Sequence, residues 1–175
     1  MKKIILSIGI LLITFGCGSK KTAVAGLDKD GNLVGTVSKE HFLAEPYSEW
    51  FHFNYENYEL NSKTIEKLNP IINTVKIKAF MGTWCGDSRE QIPVFYKLLD
   101  KTNFNYKNLK LIAVNRSKKT EDNLQEGFNI IRVPTFIFLK NGKEIGRFVE
   151  YPQESLEEDF LKIISEVTYK HSYQE

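Results

Sequence analysis

Apolar positions between residues 61 and 170 follow two alternating patterns. Spacings of three and four predict amphipathic helices over 62–72, 88–99, 120–127 and 154–168. Short apolar runs bounded by polar residues predict strands over 75–81, 109–115, 135–140 and 144–149. The last two strands meet at Asn141-Gly142, which is a strong hairpin signal. This order of elements predicts an α/β domain with a mixed central sheet and helices on both faces.

The predicted helices carry signals at their ends and along one face. Asn61 or Ser62 is expected to cap the first helix, and Pro93 interrupts the second. The last helix is expected to turn its apolar residues toward the core, namely Leu156, Phe160, Ile163, Ile164 and Val167.

Residues 39–60 precede the regular pattern and are rich in aromatic side chains. These are Phe42, Tyr47, Trp50, Phe51, Phe53, Tyr55 and Tyr58. Aromatic residues at this density either line a binding groove or cover the apolar surface of a neighbouring domain. We expect an N-terminal extension that packs on the 61–170 domain.

Residues 17–38 are poor in large apolar side chains and rich in Gly, Lys and Asp, which is typical of a flexible tether. Residues 28–32 within this stretch also fit a small hairpin turn. The same residues do not fit a calcium loop. Gly31 comes too early for one, and Lys39 stands where the twelfth position needs Glu.

The first 17 residues have a basic start, an apolar run over 4–15 and a cysteine at the end. This layout is typical of a secretory signal. Twelve apolar residues rise only about 18 Å as a helix, against roughly 30 Å of membrane hydrocarbon. The segment resembles a bacterial lipoprotein signal. That resemblance implies a signal peptide over 1–16, a lipid on Cys17, and a membrane-anchored protein of the bacterial cell envelope that faces away from the cytoplasm.

Two residues depart from the usual lipoprotein signal. Thr14 stands where Leu is common, and the bulky Phe15 stands where a small residue is common. A plain cleaved signal and an uncleaved anchor therefore remain alternatives to lipidation at Cys17.

Length and charge narrow the function classes. A chain of 175 residues with 42% hydrophobic content suffices for one ordinary core, so one domain with appendages is expected. Without Lys2 and Lys3, which the signal would remove, 22 basic residues face 22 acidic ones. A neutral chain gives no electrostatic reason to expect nucleic acid as a partner.

No metal site and no cofactor are expected, because the histidines lack neighbouring ligands at suitable spacing.

Cys17 and Cys85 are the two cysteines of the chain, and acylation of Cys17 would leave Cys85 without an intramolecular partner. Cys85 lies between a predicted strand and a predicted helix, so it is expected at a helix N-terminus. Unpaired N–H groups and the helix dipole stabilise an anion there, which favours the nucleophilic thiolate. A buried, inert cysteine is the alternative. The small or polar residues Gly86, Asp87 and Ser88 argue against it.

Two motifs identify a family resemblance. Residues 84–88 read Trp-Cys-Gly-Asp-Ser and resemble the Trp-Cys-Gly-x-Cys active site of thioredoxins, with Ser88 in place of the second cysteine. Pro93 lies eight residues after the nucleophile, where thioredoxins kink their active-site helix. Residues 133–135, Val-Pro-Thr, precede the hairpin as the family's cis-proline segment does.

The resemblance implies a thioredoxin fold over 61–170 and assigns roles within it. Cys85 would attack a substrate disulfide, and Trp84 would shield one flank of its sulfur. Pro134, expected to be cis, would present the Val133 backbone to an extended substrate. The substrate-binding positions are then Trp84, Gly86, Asp87, Val133 and Pro134.

Three departures limit what the family implies. Ser88 cannot form a disulfide with Cys85, so the two-thiol reductase cycle is excluded. Ala79 replaces the buried acid that serves the second thiol in the family. Asp87 replaces the usual proline, and its carboxylate disfavours a neighbouring thiolate. Ser88 is instead expected to donate a hydrogen bond to the Cys85 thiolate.

These residues predict a thiol–disulfide oxidoreductase or isomerase of one-thiol type, with Cys85 and Ser88 as catalytic residues. Protein or small-molecule thiols and disulfides are the expected partners. Arg89 is expected to stabilise the thiolate, to pair with Asp87 or to lie on the solvated face. A non-catalytic peptide-binding module that uses the groove beside Trp84 and Pro134 is the alternative. A peroxide sensor whose cysteine oxidises to a sulfenate is a third possibility.

Overall fold

The computed structural model describes residues 25–174, so the predicted signal peptide and the predicted lipid on Cys17 lie outside the described residues. The strands are β1 (Gly26–Leu27), β2 (Leu33–Val37), β3 (Lys76–Met81), β4 (Leu109–Ala113), β5 (Thr135–Lys140) and β6 (Lys143–Val149). The helices are α1 (Ser48–Asn57), α2 (Ser62–Leu68), α3 (Gly86–Lys101) and α4 (Leu156–Ile164). Asn61 caps α2 by accepting hydrogen bonds from Lys63 and Thr64 N–H groups.

All six strands form one sheet in the order β1-β2-β4-β3-β5-β6. Strands β3 and β4 are parallel, and the other neighbouring pairs are antiparallel. The sheet is therefore mixed, as the order of elements predicts. Among residues 25–174, no helix is both long enough and apolar enough to cross a membrane.

Alternate strand residues face two hydrophobic clusters, because side chains of a strand point to opposite faces of the sheet. On β3, Ala79 joins the larger cluster, which contains buried residues of all four helices, and Phe80 joins the smaller one. The smaller cluster is covered by partly buried residues from the segment between β4 and β5, namely Leu124, Phe128 and Ile130.

The helix predicted over 120–127 is wrong, because these residues form turns. Asn123 and Gly127 adopt left-handed φ angles of 52° and 80°, which a right-handed helix excludes. The Thr120 hydroxyl accepts the Leu124 N–H at 2.8 Å, and Gln125 Oε1 accepts the Thr120 N–H at 2.9 Å. These side chains satisfy the backbone locally, in competition with a helix.

Part of the predicted tether belongs to the sheet. Strand β2 pairs with β4, with Gly35 opposite Ala113, and its Leu33 and Val37 are buried. The hairpin turn before it is closed by Asp28, whose carboxylate accepts the N–H groups of Asp30 and Asn32 at 2.9 Å each. Residues 26–37 are thus a folded edge of the domain rather than a flexible tether.

The aromatic segment 39–60 packs on the outer side of α3. Phe42 and Phe51 are fully buried and stack at 5.9 Å between ring centroids, and Phe42 lies 6.3 Å from the ring of Tyr96 in α3. The Lys39 ammonium donates to the Asp100 carboxylate at 2.5 Å. Desolvation raises the pKa of Asp100, but hydrogen bonds from Lys39 and two tyrosines outweigh it and hold the pKa below its usual value.

Helix α4 is shorter than the sequence predicts. Leu156, Phe160, Ile163 and Ile164 are buried as expected, whereas Val167 is 58% exposed. The chain turns away after Ser165 because Glu166 adopts a left-handed φ of 56°.

Candidate active site

Cys85 stands at the junction of β3 and α3, where the sequence predicted it. It is the N-cap residue of α3, and its N–H donates to the Gly82 carbonyl at 2.9 Å to close the preceding turn. The side chain is half-buried and is not in a disulfide. Its thiol donates to the Val133 carbonyl oxygen at 3.2 Å, and Asp87 Oδ2 lies 3.6 Å from the sulfur.

Sheet register brings Val133 and Pro134 to this sulfur, although they lie far along the chain. Strands β3 and β5 are antiparallel neighbours with Phe80 opposite Thr135. The end of β3 and the start of β5 therefore share one edge of the sheet, and the residues beyond them meet there. Both Val133 and Pro134 are buried, and the peptide bond between them is cis.

Trp84 is held in place by contacts that the sequence did not suggest. Its indole N–H donates to the Val114 carbonyl at 2.8 Å, and the Arg116 guanidinium lies 5.5 Å from the ring centroid. A Cβ at Gly82 would fall 2.5 Å from the indole, so the ring needs glycine there. A glycine two residues before the tryptophan was the one available signal for this packing.

Ser88 makes a hydrogen bond that the sequence did not predict. Its side chain is fully buried, and its hydroxyl accepts the Gly82 N–H at 3.2 Å. Among the hydrogen bonds of the described residues, none joins Ser88 to Cys85. The Ser88 hydroxyl instead supplies the acceptor that a buried backbone N–H requires. Ser88 therefore positions the turn that carries the nucleophile.

Arg89 is exposed to solvent, which is one of the three predicted arrangements. Its Nε also donates to the Thr83 carbonyl oxygen at 2.6 Å, a contact that the sequence did not predict. The Thr83 hydroxyl in turn accepts the Leu33 N–H of β2 at 3.2 Å. Thr83 is 2% exposed and had no functional signal in the sequence. The loop before Cys85 is thus tied to both α3 and β2.

Opposing electrostatic effects act on the sulfur. The first N–H groups of α3 favour the thiolate, whereas the half-buried Asp87 carboxylate accepts the S–H and favours the thiol.

Gly86 is exposed, and a Cβ there would touch nothing, so its backbone faces open space. Within the described part of the chain, no three His, Cys, Asp or Glu side chains are arranged to hold a metal ion.

Comparison with known proteins agrees with this geometry. The thioredoxin family model matches residues 41–161, so the matched region includes most of the aromatic segment and residues 61–161 of the α/β pattern. The chain is similar to thioredoxin H2 of Arabidopsis thaliana, 26% identical over 83% of this chain and 98% of that protein. It is also similar to thioredoxin H5 of rice, 31% identical over 84% of this chain and 91% of that protein.

Solved structures support the fold. An HIV epitope-scaffold protein superposes with a TM-score of 0.58 at 19% identity, covering 76% of this chain and 94% of that one. A Pseudomonas aeruginosa protein of unknown function gives a TM-score of 0.50 at 19% identity, covering 74% of this chain and 81% of that one. The fold and the relatives together support a thiol–disulfide oxidoreductase type of function in general. The chain belongs to the thioredoxin family.

Proposed function

We propose that the protein catalyses thiol–disulfide exchange with a single thiol, as an oxidoreductase or isomerase that works through a mixed disulfide at Cys85. The observation that carries the proposal is a half-buried sulfur at the start of α3, with the fully buried hydroxyl of Ser88 where the family has its second thiol. The expected substrates are protein or small-molecule disulfides.

The exchange has two balanced steps. The Cys85 thiolate attacks one sulfur of a substrate disulfide, so a Cys85–substrate S–S bond forms and the second substrate sulfur leaves as a thiolate. A thiolate from outside the chain, either a low-molecular-weight thiol or another substrate cysteine, then attacks the substrate sulfur of the mixed disulfide. This step forms the new disulfide and returns Cys85 as a thiolate. Cys85 undergoes no net oxidation over the cycle.

The surrounding groups suit the first step. Asp87 Oδ2 lies 3.6 Å from the sulfur, close enough to take the proton when the thiol ionises. Once the proton has left, the N–H groups at the start of α3 stabilise the anion. The Val133 backbone, next to the sulfur, offers an edge along which an extended substrate can lie.

The one-thiol mechanism predicts that the chain with Ser88 and the Ser88→Cys variant differ in how much of a thiol label they retain. Both proteins carry Cys17→Ser and are treated with a chromogenic aryl disulfide. With Ser88 present, the chain should keep one aryl thiol on Cys85 until an external thiol is added, because nothing inside can displace it. In Ser88→Cys the introduced thiol should attack the mixed disulfide and expel the label. Intact mass measures the retained label.

Cys85→Ser with Cys17→Ser is the control, which should retain no label. Spontaneous loss of the label from the chain that keeps Ser88 would contradict the one-thiol mechanism, since it would require a resolving group within the protein.

We further propose that the chain is exported and anchored to the bacterial cell envelope by a lipid on Cys17. Support comes from residues 1–17, with their basic start, short apolar run and terminal cysteine. Folded structure begins in the described residues at Gly26, close behind this segment. One lipid-bearing cysteine would place the exchange site near a membrane surface.

Lipidation predicts that the protein partitions into detergent and incorporates labelled fatty acid in a bacterial host. Cys17→Ala should abolish both, while Cys85→Ala should leave both unchanged. Labelling that persists in Cys17→Ala would contradict the proposal.

A further inference from the structure

The chain beyond α4 folds back toward the edge of the sheet that carries the candidate site. The Ser172 hydroxyl donates to the Tyr151 carbonyl at 3.2 Å and accepts from the Gln153 side chain at 2.6 Å. The Tyr173 N–H donates to His171 Nδ1 at 3.2 Å. Desolvation lowers the pKa of His171, which keeps this nitrogen available as an acceptor near neutral pH. These contacts fix the position of Tyr173.

The Tyr173 ring is held from three directions. The Arg132 guanidinium lies 5.2 Å from its centroid, and the Tyr151 ring lies 6.1 Å away in an edge-on arrangement. The Tyr173 hydroxyl donates to the Glu150 carboxylate. That hydrogen bond raises the pKa of Tyr173 to about 12, so the hydroxyl stays protonated.

The same neighbours connect Tyr173 to the candidate site. Arg132 directly precedes Val133, whose carbonyl lies 3.2 Å from the Cys85 sulfur. The Glu150 N–H donates to the Pro134 carbonyl at 2.7 Å. Tyr173 therefore touches residues on both sides of the Val133-Pro134 segment that faces the nucleophile.

Three exposed side chains form a surface at this point, which we name the C-terminal wall. Ile131, Tyr151 and Tyr173 are 46%, 47% and 37% exposed. A cavity of about 350 Å³ opens beside Tyr173, and its lining combines Ile131 and Val149 with polar residues that include Arg147 and His171. It is large enough for one bulky side chain. Tyr173 lies outside residues 41–161, the part matched by the family model, so this wall includes a residue outside the matched region.

We propose that Tyr173 is a specificity-determining residue for exchange at Cys85, and that the C-terminal wall binds a large apolar side chain of a peptide disulfide. The proposal rests on the proposed function. Ile131 stands two residues before Val133. The residues of a substrate strand beside this segment are spaced about 3.3 Å apart. The side chain roughly two positions from the substrate cysteine then lies against the C-terminal wall. Burial of that side chain favours its binding.

The test compares two disulfide peptides that differ only in having Phe or Gly two positions from the cysteine. The chain carrying Cys17→Ser should react about fivefold faster with the Phe peptide, which corresponds to roughly 1 kcal/mol of aromatic contact. Tyr173→Ala should remove this preference, and Tyr173→Phe should keep it, because the ring rather than the hydroxyl makes the contact. In each variant the ratio of the two peptide rates, rather than either rate alone, measures the preference.

Phe53→Ala is the matched control, since Phe53 is a 66% exposed aromatic on α1, and it should keep the preference. Equal rates for the two peptides with Tyr173 present, or a preference that survives in Tyr173→Ala, would overturn the inference. Loss of reaction with the aryl disulfide in the chain that keeps Cys85 would instead overturn the proposed function. The two failures are therefore distinguishable.

Discussion

Cys85→Ser is expected to lower the rate of thiol–disulfide exchange by a hundredfold or more, on the order seen when an enzyme loses its nucleophile. A serine hydroxyl is not ionised near neutral pH and cannot form a mixed disulfide. The rate of reduction of a model peptide disulfide by an added thiol, with and without the protein, measures the effect.

The matched control for this variant is Ser88→Ala, which leaves the nucleophile in place. It should keep exchange activity but lower stability, because the buried Gly82 N–H loses its acceptor. Exchange that continues unchanged in Cys85→Ser would contradict the account. A chain that keeps Cys85 but does not accelerate exchange would favour the alternative, a binding module that uses the groove beside Trp84 and Pro134.

Phe42→Ala is expected to lower the free energy of unfolding by about 3–5 kcal/mol, the usual cost of removing a buried phenylalanine. Phe42 is fully buried and packs against Phe51, Trp50 and Tyr96, whose ring belongs to α3. Because α3 carries Cys85 at its start, the aromatic segment supports the helix that holds the nucleophile. Denaturant unfolding monitored by circular dichroism gives the free energy.

Phe53→Ala removes a ring of the same size from the exposed surface of the same segment. It should change the free energy of unfolding by no more than about 0.5 kcal/mol, as surface substitutions usually do. Equal effects of the two substitutions would show that the segment is not part of the core.

The regular spacing of apolar residues made most helices and strands predictable from the sequence. Strands β3 to β6 and helices α2 to α4 lie close to their predicted positions because their apolar spacing is long and regular. Strand β2 escaped prediction since its five residues include glycine and follow a charged turn, which resembles linker composition. Its burial depends on pairing with β4, and local sequence does not encode that pairing.

The site was predictable in its residues but not in its hydrogen bonds. Cys85, Trp84 and Pro134 could be placed from spacing and motif. The partners of Ser88 and Arg89 depend on which backbone groups are left unpaired in the folded turn. Those groups, the Gly82 N–H and the Thr83 carbonyl, become visible only once the turn is built.

The rate of alkylation of Cys85 in the folded chain tests the central claim most directly. The measurement uses iodoacetamide at neutral pH and the chain with Cys17→Ser, with the same chain in denaturant as the reference. If the sulfur is accessible at the start of α3, where the helix N–H groups favour the reactive thiolate, the folded chain should react at least as fast as the denatured chain. A folded chain that reacts more slowly than the denatured one, or only after denaturation, would contradict the account.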